Sequence, residues 1–281
     1  MKIRIITDST ADLTPEVRCR LTVVPLTIRF GEVEYVDGVT MTHRKFYEKL
    51  VESDVMPTTS QACPEDFRQA FAAALEKNDA VVCITLSSRL SGTCQSAVIA
   101  AADFPGRVFV VDSCSVAIGA GILVEYALSL VDQGLDGAAV AAELERKRED
   151  IRVVAMLDTL EYLKKGGRIS GAVALAGSLL SIKPVVSLTG GEIAVLGKAR
   201  GSRQANNLLV KEIERAGGVD FSMPVLLGYT GLSDMLLEKY KVDSAYLWEG
   251  NVRNLRSTLI GSVVGTHAGP GAVAAAFFRK V

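Results

Sequence analysis

The order of strand-like and helical stretches in the first half of the chain limits the fold most. Ala80–Leu86 and Val108–Val111 read as apolar strands of the kind buried on both faces of a parallel sheet. Lys2–Thr7 is a further strand. Helices are expected over Glu65–Leu75, from Thr93 to about Ala102, and near 115–132 and 136–149. Strand and helix in alternation argue a parallel sheet with helices on its faces. Val23–Phe30 and Val33–Tyr35 look like two short strands around Gly31, and Thr42 is placed to cap a helix through Val51. Ser53–Pro64 reads as a polar loop.

The second half differs. Arg152–Leu157 is a strand, a helix runs on to Lys165, and Gly171–Ser181 is small and apolar. Pro184–Leu188 and Glu192–Gly197 flank Gly190-Gly191, which supplies the positive φ of a tight hairpin. A helix (202–216), a strand (224–229), a helix (231–240) and a strand (244–248) follow. A hairpin among crossovers implies a mixed sheet. The expected fold class is therefore α/β in two domains. Residues 1–150 form a parallel-sheet domain and residues 151–281 a mixed-sheet domain, with the boundary after the charged run Glu143–Asp150.

Composition narrows the function. The chain has 281 residues, 31 basic and 32 acidic, for a net charge of −1. That balance offers no field for a phosphate backbone, so nucleic-acid binding is not expected. The five cysteines include no C-x-x-C pair, and neither a disulfide framework nor a zinc site follows. With no apolar leader at the N-terminus, this suits a soluble protein of the cytoplasm. Ser257–Phe278 lacks Asp, Glu, Lys and Arg over a length that spans a bilayer, but four Gly, Pro270 and His267 interrupt it. It is read as buried protein.

No Walker A pattern, G-x-G-x-x-G, G-x-S-x-G or H-E-x-x-H occurs. No cofactor or metal is expected. What recurs instead is Ser, Thr and Gly at predicted loops: Asp8-Ser9-Thr10, Thr58-Thr59-Ser60-Gln61, Ser87–Thr93 and Gly265–Gly271. Loops after strand ends line the crevice of an open α/β sheet. Ser91-Gly92-Thr93 also begins a helix, whose free amides favour an anion. Each segment also reads as helix capping, His267 as a core histidine, and Arg168 as a solvated charge. The apolar stretches Ala172–Leu180 and Val263–Ala276 are rich in small residues, which fits ordinary packing or a narrow tunnel.

Seven strings in this order resemble the DegV family, whose members include the fatty-acid-binding subunits of bacterial fatty acid kinase. They are Ile6–Thr10, Pro57–Gln61, Leu90–Thr93 with Gln95–Ala97, Val111–Ser113, Leu163–Ile169, Ile182–Pro184 and Gly265–Gly271. The resemblance implies a carrier, not an enzyme, that holds a long-chain fatty acid in an apolar tunnel. It implies a carboxylate seat of Thr59, Ser60, Ser91, Gly92, Thr266 and His267, and Arg168 on a surface that docks the kinase catalytic subunit. That partner would form the acyl phosphate. A monomer with room for transient membrane contact is expected. The alternative is a stand-alone phosphoryl- or acyl-transfer enzyme using Asp8, Ser91 and His267. Two departures from the family pattern are Gln61-Ala62-Cys63-Pro64, where relatives place Pro directly after Gln, and Arg89 beside the seat.

Overall fold

The computed structural model describes residues 1–169, 182–248, 250 and 255–280. Its first half runs β1 (Ile3–Asp8), α1 (Pro15–Arg18), β2 (Thr22–Val24), β3 (Thr27–Phe30), β4 (Val33–Val36), α2 (His43–Glu52), β5 (Thr58–Ser60), α3 (Pro64–Leu75), β6 (Ala80–Thr85), α4 (Thr93–Ala101), β7 (Val108–Asp112), α5 (Ile118–Asp132) and α6 (Gly137–Lys147). Four strands form a parallel sheet in the order β2-β1-β6-β7. Every residue of β6 is buried, which is why its sequence shows no polar alternation.

The expected strand Val23–Phe30 is two strands. Pro25 has no amide to give a ladder, so β2 stays in the parallel sheet while β3 turns away. β3 then pairs antiparallel with β4 and β5 in a small third sheet. Gly31, at φ +58°, makes the turn between β3 and β4. The polar loop expected over Ser53–Pro64 is corrected in the same place. Thr58–Ser60 is a strand, with Thr59 opposite Ile28. Thr42 caps α2 as expected, its hydroxyl accepting from the Lys45 amide at 3.3 Å.

The second half runs β8 (Ile151–Met156), α7 (Glu161–Lys165), β9 (Ile182–Thr189), β10 (Glu192–Arg200), α8 (Gly201–Arg215), β11 (Leu226–Tyr229), α9 (Met235–Asp243), β12 (Ser257–Leu259), α10 (Ser262–Ala268) and β13 (Val273–Phe278). They build a mixed sheet in the order β10-β9-β8-β13-β11-β12, in which only β11 and β12 run parallel. The strand expected at 244–248 is instead a 3₁₀ turn, Ala245–Trp248. Ser244 holds it by accepting from Trp248 Nε1 at 3.0 Å, which satisfies the buried indole. The helix expected from 231 begins at Met235. Gly265–Gly271 is likewise not one loop, because its first residues complete α10. The small apolar stretch Gly171–Ser181, with Ala172–Leu180 inside it, lies outside the described residues. Among the described residues, no helix is long and apolar enough to cross a membrane.

The parallel sheet lies wholly before residue 150 and the mixed sheet wholly after it. Helix α5 is packed against both. Ile118 and Ile122 share one apolar core with Ile5 and Ile84 on one side and Val153 and Leu226 on the other. The space at the N-terminal end of that helix is where the two halves leave a cavity.

Candidate functional site

The cavity has a volume of about 420 Å³ and takes walls from both halves. Strand pleating sets its apolar side. Along β8 and onward, Val153, Ala155 and Leu157 face the cavity, while Val154 and Met156 face the core beyond the sheet. On β13 the same alternation turns Ala274 inward and Val273 and Ala275 outward. Alanines at these inward positions leave volume that larger residues would fill. The loop after β7 closes one side with Val116 and Ala117, the latter held at φ +55°. A non-glycine residue there costs on the order of 1 kcal/mol and marks a place that its surroundings constrain.

The polar groups come from a few loops and one helix. Thr59 is placed by its register on β5, and its Oγ1 lies 3.0 Å from Nε2 of His267 on α10. His267 is largely buried, and its Nδ1 has no hydrogen-bond partner among the described residues. Burial, with the nearby Arg168 charge adding to it, pushes the imidazole pKa down to about 4. The ring is therefore neutral at pH 7 and able to donate from one nitrogen and accept at the other. Gly166 is packed against this ring, and a Cβ there would collide with Nδ1. Gly166 thus has a steric role that the sequence alone does not reveal.

Ser91 stands just before α4, whose N-cap is Gly92. Its Oγ accepts from the Thr93 amide at 3.2 Å at the start of α4, contacts the Thr93 hydroxyl at 3.0 Å, and still lines the cavity. Gly92 stands exposed at the rim, beneath the Gln61 side chain, so closely that a Cβ would collide with it. Gln61 is fixed by donating to Ser96 Oγ at 3.1 Å. Gln61 was absent from the expected seat, although its position in the Thr58–Gln61 segment was the available signal. Ser60 is an exposed rim residue.

Arg168 is half-buried and also lines the cavity. It donates from Nε to the Leu90 carbonyl at 3.2 Å and from Nη1 to the Gly166 carbonyl at 2.6 Å. Among the described residues, no carboxylate pairs with it. This places a fixed guanidinium at the cavity mouth, where the sequence suggested a surface anchor. Arg89 points elsewhere, pairing with Glu192 at 3.2 Å on the surface.

Two expected residues do not belong to this group. Thr266 is buried, and its hydroxyl donates to the Ser262 carbonyl one turn back at 3.0 Å. It does not line the cavity, because adjacent residues on a helix point about 100° apart and His267 takes the inward direction. Asp8 is fully buried beneath the site. It accepts from the Thr10 amide and hydroxyl at 2.9 and 2.6 Å and from the Leu86 amide at 2.7 Å. Burial raises its carboxyl above the usual range. No hydrogen bond links any two of Asp8, Ser91 and His267, so the trio needed for stand-alone catalysis is not assembled.

The chain matches the family model described as an uncharacterised protein of the DegV family over residues 2–280. A DegV domain-containing protein of Deinococcus radiodurans is 39% identical over 282 residues, covering 98% of each chain. A structure described as fatty acid binding by a DegV family protein from Thermus thermophilus is 36% identical, with a TM-score of 0.87 over 99% of this chain and 100% of that one. A fatty acid (stearic acid)-binding protein from Eubacterium ventriosum is 25% identical, with a TM-score of 0.84 over 99% and 98%.

Proposed function

The chain belongs to the DegV family, and from that premise we propose that it is a carrier for a long-chain fatty acid. The acyl chain lies along the apolar cavity, and the carboxylate sits among Thr59, Ser91, the Gly92 amide and His267. One observation carries the reading: an apolar cavity of about 420 Å³ is lined by neutral donors and by a guanidinium with no carboxylate partner among the described residues, not by a catalytic pair. Each CH₂ buried contributes roughly 0.8 kcal/mol, so the tail supplies most of the affinity. The seat then fixes the head group through hydrogen bonds, while Arg168 adds a favourable charge at the mouth. The relatives from Thermus thermophilus and Eubacterium ventriosum, which by description bind fatty acids, support this ligand class.

The carboxylate end lies beside the exposed rim of Ser60, Gln61 and Gly92. We place there the docking of a separate kinase that phosphorylates the bound carboxylate, with Arg168 as part of the contact. This finer step rests on the ordered strings shared with fatty acid kinase subunits and on the position of the rim. The carrier acts without catalysing a reaction itself, as a cytoplasmic monomer with residues 1–150 and 151–281 as its two domains. Titration of the delipidated chain with hexadecanoic acid tests the carrier reading, and saturable binding is expected. Adding a fatty acid kinase catalytic subunit and ATP tests the second step. Acyl phosphate should form only when both proteins are present. Turnover by this chain alone would overturn the carrier reading.

A further inference from the structure

A second cleft, of about 380 Å³, opens where strands β8 and β9 part. Their ladder pairs Val154 with Ser187, Ala155 with Val186 and Met156 with Val185, and then stops. Both strands continue, β8 back to Ile151 and β9 on to Thr189, so the sheet is split at this point. The cleft fills the split. Val153, Ser187 and Leu188 line it and also line the main cavity, leaving a wall one side chain thick. None of Thr59, Ser91, Arg168 or His267 lines the cleft, so it meets the cavity away from the carboxylate seat.

The cleft is rich in donors that lack acceptors. Arg148 Nε is buried with no hydrogen-bond partner among the described residues, and its Nη1 donates to the Asp112 carbonyl at 2.5 Å. Arg152 donates through Nη1 to the carbonyls of Glu149 and Ile151, both at 2.8 Å, and has no carboxylate partner among the described residues. Burial and the nearby Arg279 lower its pKa, and Asp150 and Glu149 offset this only in part. The Ser115 hydroxyl, without a partner among the described residues, is packed against Gly119 and does not face the cleft. Cys114, at φ +48°, holds the adjoining loop in a strained turn, with its amide donating to Asp112 Oδ1 at 2.8 Å. Two carboxylates also line the cleft. Glu212 is engaged by Arg215 at 2.8 Å, and Glu149 is exposed, 3.8 Å from Arg148 Nε. Unmet donors around a cleft of this size call for an acceptor-rich ligand.

We infer that this cleft is an anion-binding subsite for a carboxylate or phosphate group, with the Arg148 and Arg152 guanidiniums as its donors. The shared wall lets the anion come from either of two sources: the far end of an α,ω-dicarboxylic acyl chain, or a free anion outside the cavity. The first source rests on the carrier reading above, and the second does not.

Calorimetric titration of the delipidated full-length chain with inorganic phosphate, hexadecanedioic acid and hexadecanoic acid tests the subsite. Phosphate or the dicarboxylate should bind saturably, and Arg152→Gln should weaken it by about tenfold or more. Arg148→Gln should do the same, while hexadecanoic acid affinity stays within about threefold of wild type and reports an intact fold. Loss of phosphate binding in both variants assigns a free anion. A loss confined to the dicarboxylate assigns the far end of the chain. Binding of phosphate and dicarboxylate that is absent in wild type, or unchanged in both variants, overturns the subsite. Phosphate binding that depends on Arg152 in a chain that takes no hexadecanoic acid keeps the subsite and refutes the carrier reading.

Discussion

Two polar regions of this molecule lie close together and use similar residues in opposite ways. Asp8 and Thr10, after β1, turn their groups on one another and on the Leu86 amide, and the carboxylate is left with no solvent contact. Thr59, Ser91 and His267, a short distance above, keep hydrogen-bonding capacity directed into a cavity. The first region spends its polar atoms on holding two strand-end loops together. The second leaves them available, at some cost in stability, which is what a binding site requires.

The contrast is broken most severely at Asp8. Asp8→Ala leaves the Leu86 and Thr10 amides without an acceptor in a buried place, and should lower the unfolding free energy by about 3 kcal/mol or more in urea titrations. A loss below about 1 kcal/mol would remove the structural role argued for it.

His267 gives the next largest effect, through pH. Its folded pKa of about 4 lies below its ordinary value of 6.5. Between those values the unfolded chain holds more protons than the folded one, so stability rises with pH there. The contribution is complete above about pH 6.5 and is lost as pH falls toward about 4, by at most about 3–4 kcal/mol. Unliganded wild type should therefore lose stability across this window relative to His267→Asn in paired thermal melts. Parallel curves for the two proteins would contradict the buried, neutral ring.

The distribution of what could be read in advance follows from physics. Buried strands such as β6 declare themselves because both faces are apolar. Thr58–Ser60 does not, since a three-residue Thr/Ser strand carries no alternation and is fixed only by pairing with β3. The family resemblance puts Thr266 in the seat, and only the phase of α10 separates it from His267. In the run at 244–248 Trp248 is buried while Tyr246 is exposed, and apolarity over so few residues does not distinguish a strand from a turn. The glycines show the same limit. Gly166 and Gly92 are required by the side chains of His267 and Gln61, which are remote in sequence.

That dependence sharpens the comparison. Gly166→Ala drives a methyl group into the imidazole, and should cost about 1–3 kcal/mol of stability together with fatty acid affinity. Unchanged affinity would mean that the ring position is not set there. Thr59→Val keeps the volume and removes only the hydroxyl. It should lower fatty acid affinity by about tenfold while changing stability by no more than about 1 kcal/mol. A large stability loss with unchanged affinity would move Thr59 into the company of Asp8.

The most direct test of the carrier reading is mass spectrometry of an organic extract from the purified chain, with Thr59→Val, His267→Ala prepared in parallel. A long-chain fatty acid near one equivalent in wild type, depleted in the double variant, is the predicted result. A lipid-free wild-type extract, together with no uptake of added fatty acid, would contradict it.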